Sequence, residues 1–215
     1  MVPAYSSLPL RVNNVDDGDS ENYQLLGAGQ PAQPHQALEV KGLLSSYISD
    51  FNAEGWVSQE VEGATFLVYK AANKALDEMI TSEAYGRERT RASHFIRIQQ
   101  EPHTRRRGRR AGQDGGQVEV DLFVGVVKYW VLVTPQAGPG ARPGLLRLAV
   151  CDQWRAKECT AGCYYWVEGM GEGHTPNVAL SEKRLVALKN VDTKLVCCKT
   201  PKGAYFASYG NVSMT

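Results

Sequence analysis

The 215-residue chain lacks several things whose absence narrows its chemistry. No apolar run reaches the length a bilayer-spanning helix needs. No signal-peptide pattern opens it. No P-loop, GxSxG or HExxH stretch is present, and the glycine-rich segment QAGPGARPG at 136–144 lacks the GK[ST] ending that phosphate cradling requires. The four histidines, His35, His94, His103 and His174, are scattered, and the five cysteines include no CxxC pair. Cys197 and Cys198 are adjacent, and an odd count without a leader points to free thiols in a reducing compartment. Cys163 with His174 is the minimum pair for a thiol nucleophile, but no orienting group or local signature accompanies it. The expectation is a protein that is not an enzyme and needs no metal or cofactor.

Basic charge is concentrated in one place. The formal net charge is only +1, but residues 87–110 hold nine arginines against Glu88 and Glu101, a net of +7 that leaves −6 for the rest. Segregation of this kind suits a polyanionic partner, nucleic acid or an acidic membrane face; a solvated basic loop is the plainer alternative. Arg105, Arg106, Arg107, Arg109 and Arg110 fall in PHTRRRGRRAGQDGG, which reads as a basic loop. With Arg87, Arg89 and Arg91 they are the candidate polyanion-binding residues.

Residues 1–37 are rich in Pro, Gly, Asn, Asp and Gln, show no periodicity and carry four acids against one base. They are expected to form a disordered N-terminal arm, because so little apolar surface cannot offset the entropy of ordering. Residues 38–215 are expected to form a single globular domain. LEVKGLLSSYI, from Leu38, has the β-branched and aromatic content of a strand. Ala64 to Ser82 reads as a long amphipathic helix, since Phe66, Tyr69, Ala72, Leu76, Met79 and Ile80 recur at spacings of three and four. Strands are expected at 94–100, at 117–134 with a bend or bulge at Gly125, at 145–154 and around 162–171. A short helix is expected at 181–190, capped by Ser181. A C-terminal hairpin should turn at Thr200-Pro201-Lys202-Gly203. The class is α+β: a mostly antiparallel sheet packed by one long and one short helix.

Two resemblances attach to this order of elements. KAANKALDEMITS (70–82) and KLVCCKTPKGAYF (194–206) are similar to a helix and to the closing hairpin of rhabdovirus matrix proteins. That resemblance, architectural across 38–209, implies a self-assembling matrix domain that bridges the viral nucleocapsid to the anionic inner membrane leaflet and drives condensation and budding. The implied locations are the virion beneath the envelope, the host cytoplasm and inner membrane face, and the nucleus. The family's PPxY motif, which recruits host budding factors, is matched only in part by Val2-Pro3-Ala4-Tyr5, making Pro3 and Tyr5 a late-domain-like segment with one proline missing. The second resemblance is to plant-virus movement proteins of the thirty-kilodalton superfamily. GVVKYWVLVTPQAGPGARPGLLRLAVCDQWR (125–155) looks like that core: strand, glycine-containing loop, then a strand ending at Asp152. It implies cell-to-cell movement through binding of single-stranded RNA.

Overall fold

A computed structural model describes residues 23–51, 56, 61–74, 78–85, 94–99, 122–136, 144–160, 164–168 and 182–208. Strands dominate, and the class is a sheet-dominated α+β with one described long helix. That helix is not where its spacing was expected.

Helix α1 spans Pro34–Phe51, across the predicted end of the arm and the predicted first strand. Pro34 occupies the first helical position, where a missing N–H costs nothing. The Gln36 side chain accepts from the Gln33 backbone N–H at 3.0 Å, the reciprocal half of a capping box. Ala37, Val40, Leu44, Tyr47 and Ile48 lie three or four residues apart and all contribute to one core. Part of the segment expected to be disordered is regular structure. Tyr23–Leu26 is strand β1 and Gln30–Pro31 is β2; the rest of the expected arm, residues 1–22, lies outside the described residues.

The predicted long helix at 64–82 is instead three strands: β3 (Thr65–Tyr69), β4 (Ala71–Lys74) and β5 (Glu78–Thr81). A 3₁₀ turn, Glu83–Tyr85, follows. Phe66, Tyr69, Ala72 and Ile80 are all buried, but Phe66 enters a different core from the other three. Their spacing came from strands with two covered faces, not from one helical stripe. The β-branched and aromatic run Thr65-Phe66-Leu67-Val68-Tyr69 pairs with a central strand, which overrides helix propensity.

Next come β6 (Phe95–Gln99), β7 (Leu122–Thr134), β8 (Leu146–Arg155) and β10 (Tyr164–Glu168), close to the predicted strands, with an unpredicted short strand, β9 (Lys157–Thr160), ahead of β10. The irregularity in β7 is a register shift between Val127 and Tyr129, not at Gly125. Gly125 answers a different need: a Cβ there would meet Ile98 at 2.8 Å, so its absence lets β6 side chains cross β7. The predicted helix at 181–190 is strand β11 (Glu182–Ala187) followed by a 3₁₀ turn, Leu188–Asn190. Leu185 enters one core and Val186 the other, as a strand covered on both sides requires. β12 (Val191–Thr200) and β13 (Gly203–Ser208) form the expected C-terminal hairpin.

The main sheet has ten strands, ordered β11-β8-β7-β6-β12-β13-β10-β9, with β3 also on β7 and β2 on β3. Every described pairing is antiparallel. One edge of β7 is shared in succession by β6 and β3, while β8 follows the other. α1 covers Tyr129, Val131, Val133, Leu148, Val150 and Leu185. The small sheet β1-β4-β5 supplies Ala72 and Ile80 to the core around Trp130. A third core joins Val124 and Val126 of β7 to Tyr165, Leu195 and Phe206, so the sheet curls upon itself.

Candidate nucleic-acid interface

The eight candidate arginines, Arg87, Arg89, Arg91, Arg105, Arg106, Arg107, Arg109 and Arg110, lie outside the described residues, as do Pro3 and Tyr5. Their points of attachment are described. Gln99 and Leu122 are register partners, so residues 100–121 connect two adjacent antiparallel strands at a hairpin end. β6 and β7 are interior to the sheet order, so the five-arginine segment leaves from the middle of the sheet, not from a side edge. Residues 86–93, carrying Arg87, Arg89 and Arg91, rejoin the fold at His94, at the opposite end of β6. The two basic groups therefore flank a five-residue strand, about 13 Å between its end Cα atoms at the usual rise per residue.

Arg97 is the one arginine of the basic stretch among the described residues, and its charge is engaged internally. It pairs with Asp192 and donates to the Tyr165 hydroxyl, with its guanidinium carbon 5.5 Å from that ring's centre. Nearby, Lys74 donates to the Asp192 carbonyl, and Glu78 accepts from the Lys194 backbone N–H at 2.7 Å. Burial holds the Lys74 ammonium below its ordinary range despite the Glu78 carboxylate. This network ties β4, β5, β6, β10 and β12 together.

A second polar centre sits at the β7 bulge. Lys128 reaches Glu83 at 2.7 Å and Asp152 at 3.0 Å. Burial opposes its charge, but the two carboxylates outweigh that and raise its pKa. The movement-protein resemblance ends the strand at Asp152, but β8 runs on to Arg155 because Gln153, Trp154 and Arg155 still pair with β7, and Asp152 instead holds the bulge lysine. The His94 carbonyl accepts from the Val127 N–H at 2.9 Å. Burial lowers the pKa of the His94 imidazole, Lys128 and Lys199 push the same way, and Glu83 opposes them.

Burial raises Cys151 far above a usual thiol, and raises Cys197 to about 11; Cys163 and His174 lie outside the described residues. Among the described residues no group of three or more His, Cys, Asp or Glu converges as metal ligands would. Nor is any described helix long and apolar enough to cross a membrane.

A surface feature absent from the predicted site lies on the outer side of β9, β10, β13 and β12. Cys198 is opposite Tyr205, Tyr205 opposite Trp166, and Trp166 opposite Lys157. The Tyr205 and Trp166 ring centres are 4.5 Å apart at 48°, and Tyr205 is 44% exposed. Tyr165 is buried and Trp166 only partly so, because successive strand residues face opposite ways. Period-two alternation in YYWVE and GAYFAS was the available signal: Phe206 and Tyr165 turn inward, Tyr205 and Trp166 outward.

No protein-family model, curated protein or solved structure matches the chain.

Proposed function

We propose that this chain is a non-enzymatic protein that binds single-stranded nucleic acid, of the kind that carries a viral genome between cells. The observation that carries the reading is the Gln99–Leu122 pairing, which makes the segment holding five arginines the connection between two adjacent strands interior to the sheet order. Arginines so clustered attract a phosphate backbone by counterion release, without reading its sequence. Strands β7 and β8 form the hairpin that the movement-protein resemblance calls for, with Asp152 near the end of β8. The helix at 64–82 that would have sat awkwardly ahead of that core is three strands.

The matrix reading is the second. The β12–β13 hairpin favours it, matching the closing hairpin of that resemblance. The replacement of both predicted helices by strands weighs against it. In that reading the same arginines face the anionic inner leaflet and the nucleocapsid, where each basic residue near the surface is worth about 1 kcal/mol, and the chain self-associates.

The two readings separate experimentally. A movement-type protein binds naked single-stranded RNA cooperatively and is absent from purified virions. A matrix protein sediments with anionic vesicles, self-associates and is a major inner component of virions. Vesicle binding with no measurable RNA affinity would reject the first reading.

A further inference from the structure

Among the described residues three large apolar side chains are exposed, and two of them share one face of the sheet. Val196 of β12 is 37% exposed and Tyr205 of β13 is 44% exposed; the third, Leu38, is on α1. Val196 is opposite Ala207, Cys198 opposite Tyr205, and Tyr205 opposite Trp166. Opposed residues point the same way, so these side chains form one apolar patch, while Tyr165, Leu195 and Phe206 turn inward to the core. The Trp166 indole is pinned across Gly203, where a Cβ would meet its six-membered ring at 2.5 Å, and Tyr205 leans on it at 4.5 Å. An occupant of the patch meets rings with little rotamer freedom left to lose. Charge does not select that occupant: Lys199 points to the other side of β12, and Lys157, opposite Trp166, is engaged within the chain.

The chain itself carries a segment whose chemistry fits. Residues 2–10, VPAYSSLPL, hold no charged side chain and two prolines. Pro3 and Pro9 have a fixed φ, and each restricts the residue before it, so an extended polyproline II conformation costs this segment little entropy. That helix repeats every three residues, which sets Val2, Tyr5 and Leu8 on one edge, with neighbours about 9 Å apart. Val196 and Tyr205 are one strand across and two residues along, about 8 Å between Cα atoms. Exposed aromatic rings are the surface on which polyproline II segments dock.

The point of attachment is close by. Tyr23 is the register partner of Lys74, and Lys74 of Glu78. Lys74 donates to the Asp192 carbonyl, and Glu78 accepts from the Lys194 N–H at 2.7 Å. The row from Tyr23 therefore ends on β12, two residues before Val196. Two strand spacings, about 10 Å, separate Tyr23 from Glu78, and Lys194 to Cys198 adds about 13 Å. The thirteen residue steps from Leu10 to Tyr23 extend to about 45 Å, so the segment reaches the patch with chain to spare.

We propose that residues 2–10 dock on the outer face of β10, β13 and β12 of their own chain, with the Val2-Tyr5-Leu8 edge against Trp166, Tyr205 and Val196. This contact does not rest on the nucleic-acid reading.

Acrylamide quenching of tryptophan fluorescence tests it on the full chain. Trp56, Trp130 and Trp154 are buried, which leaves Trp166 as the indole a quencher reaches. The variant Tyr5→Ser, Leu8→Ser keeps both prolines and changes nothing in the described fold, which melting curves verify. A tether of this order supplies an effective concentration of about a millimolar, so a contact with a dissociation constant of about a millimolar is half occupied. The quenching slope of the dilute variant should then be about twice that of the parent. A peptide of residues 1–12 added to the variant should lower the slope again, and should fail to do so when Tyr205→Thr is also present. Equal slopes for parent and variant overturn the proposal. A parent slope that falls only as concentration rises and dimers appear in sedimentation makes the occupant a second copy, and overturns it too. Protection by the peptide that survives Tyr205→Thr puts the segment elsewhere and likewise overturns it.

Discussion

The Trp166 indole lies across Gly203, its diagonal neighbour on the adjacent strand, in the space a side chain would fill. Two restraints meet there, because the Val167 carbonyl oxygen is as near to the missing Cβ as the ring is. Backbone cannot swing aside as a flexible side chain can. Gly203→Ala is therefore expected to lower stability by about 1–3 kcal/mol, the usual cost of overpacking. Equilibrium urea unfolding checks it: the midpoint should fall with the slope unchanged. An unaltered midpoint would mean the indole is not held over the glycine.

Helix α1 is fastened to the sheet by one carboxylate. Glu39 accepts from Lys183 of β11 at 2.5 Å and from the Tyr129 hydroxyl of β7 at 2.5 Å. Burial pushes the Glu39 pKa up, but the Lys183 and Tyr129 hydrogen bonds outweigh it, and the result lies below 4.5. A carboxylate depressed in the folded state stabilises above its unfolded pKa, and that contribution is lost as pH falls through the folded value. Glu39→Gln should cost about 1 kcal/mol at neutral pH, the scale of a partly exposed charged hydrogen bond. The gap between variant and parent should close below pH 4.5. Thermal melts at neutral pH and near pH 3 measure it; a gap that persists in acid would contradict the assignment.

Thiol reactivity should follow burial. Cys198 is exposed, Cys197 is half-buried with its pKa raised to about 11, and Cys151 is fully buried. Only thiolate reacts. Brief alkylation of the native chain at pH 8, read by peptide mass spectrometry, should label Cys198 first, Cys197 slowly and Cys151 only after denaturation. Rapid labelling of Cys151 would mean that the core around Val127 and Trp130 opens readily.

Which elements could be read from the sequence depends on how many faces they bury. β7 carries a long β-branched run, β8 an apolar run and the β12–β13 hairpin a Pro-Lys-Gly turn, and their positions follow from composition. The 64–82 and 181–190 segments fail because strands with two covered faces show apolar residues without strict alternation, and three- and four-residue spacings arise by chance. Phe66 and Tyr69, three apart, face different cores. Helix α1 carries its own signals in the sequence: Gln33-Pro34-His35-Gln36 is a start signal, and Ala37, Val40, Leu44 and Tyr47 keep helical spacing. Arg105 to Arg110 could be named from charge alone, but their launching point at Gln99 and Leu122 could not, because strand order is a property of tertiary pairing. Tyr205 and Trp166 meet only through the β10–β13 register.

The central claim is that the arginines launched between Gln99 and Leu122 bind the phosphate backbone. The most direct measurement is the salt dependence of single-stranded RNA binding by the parent chain and by a variant with Arg105, Arg106, Arg107, Arg109 and Arg110 all changed to Gln. On a single strand, each phosphate neutralised by a basic side chain adds about 0.7 to the steepness of log affinity against log salt. Taking away five such cations should flatten that slope by about three to four, with affinity sharply reduced at low salt and the melting temperature unchanged. A variant that keeps the parent's affinity and slope would contradict the account and leave the basic segment a solubilising loop.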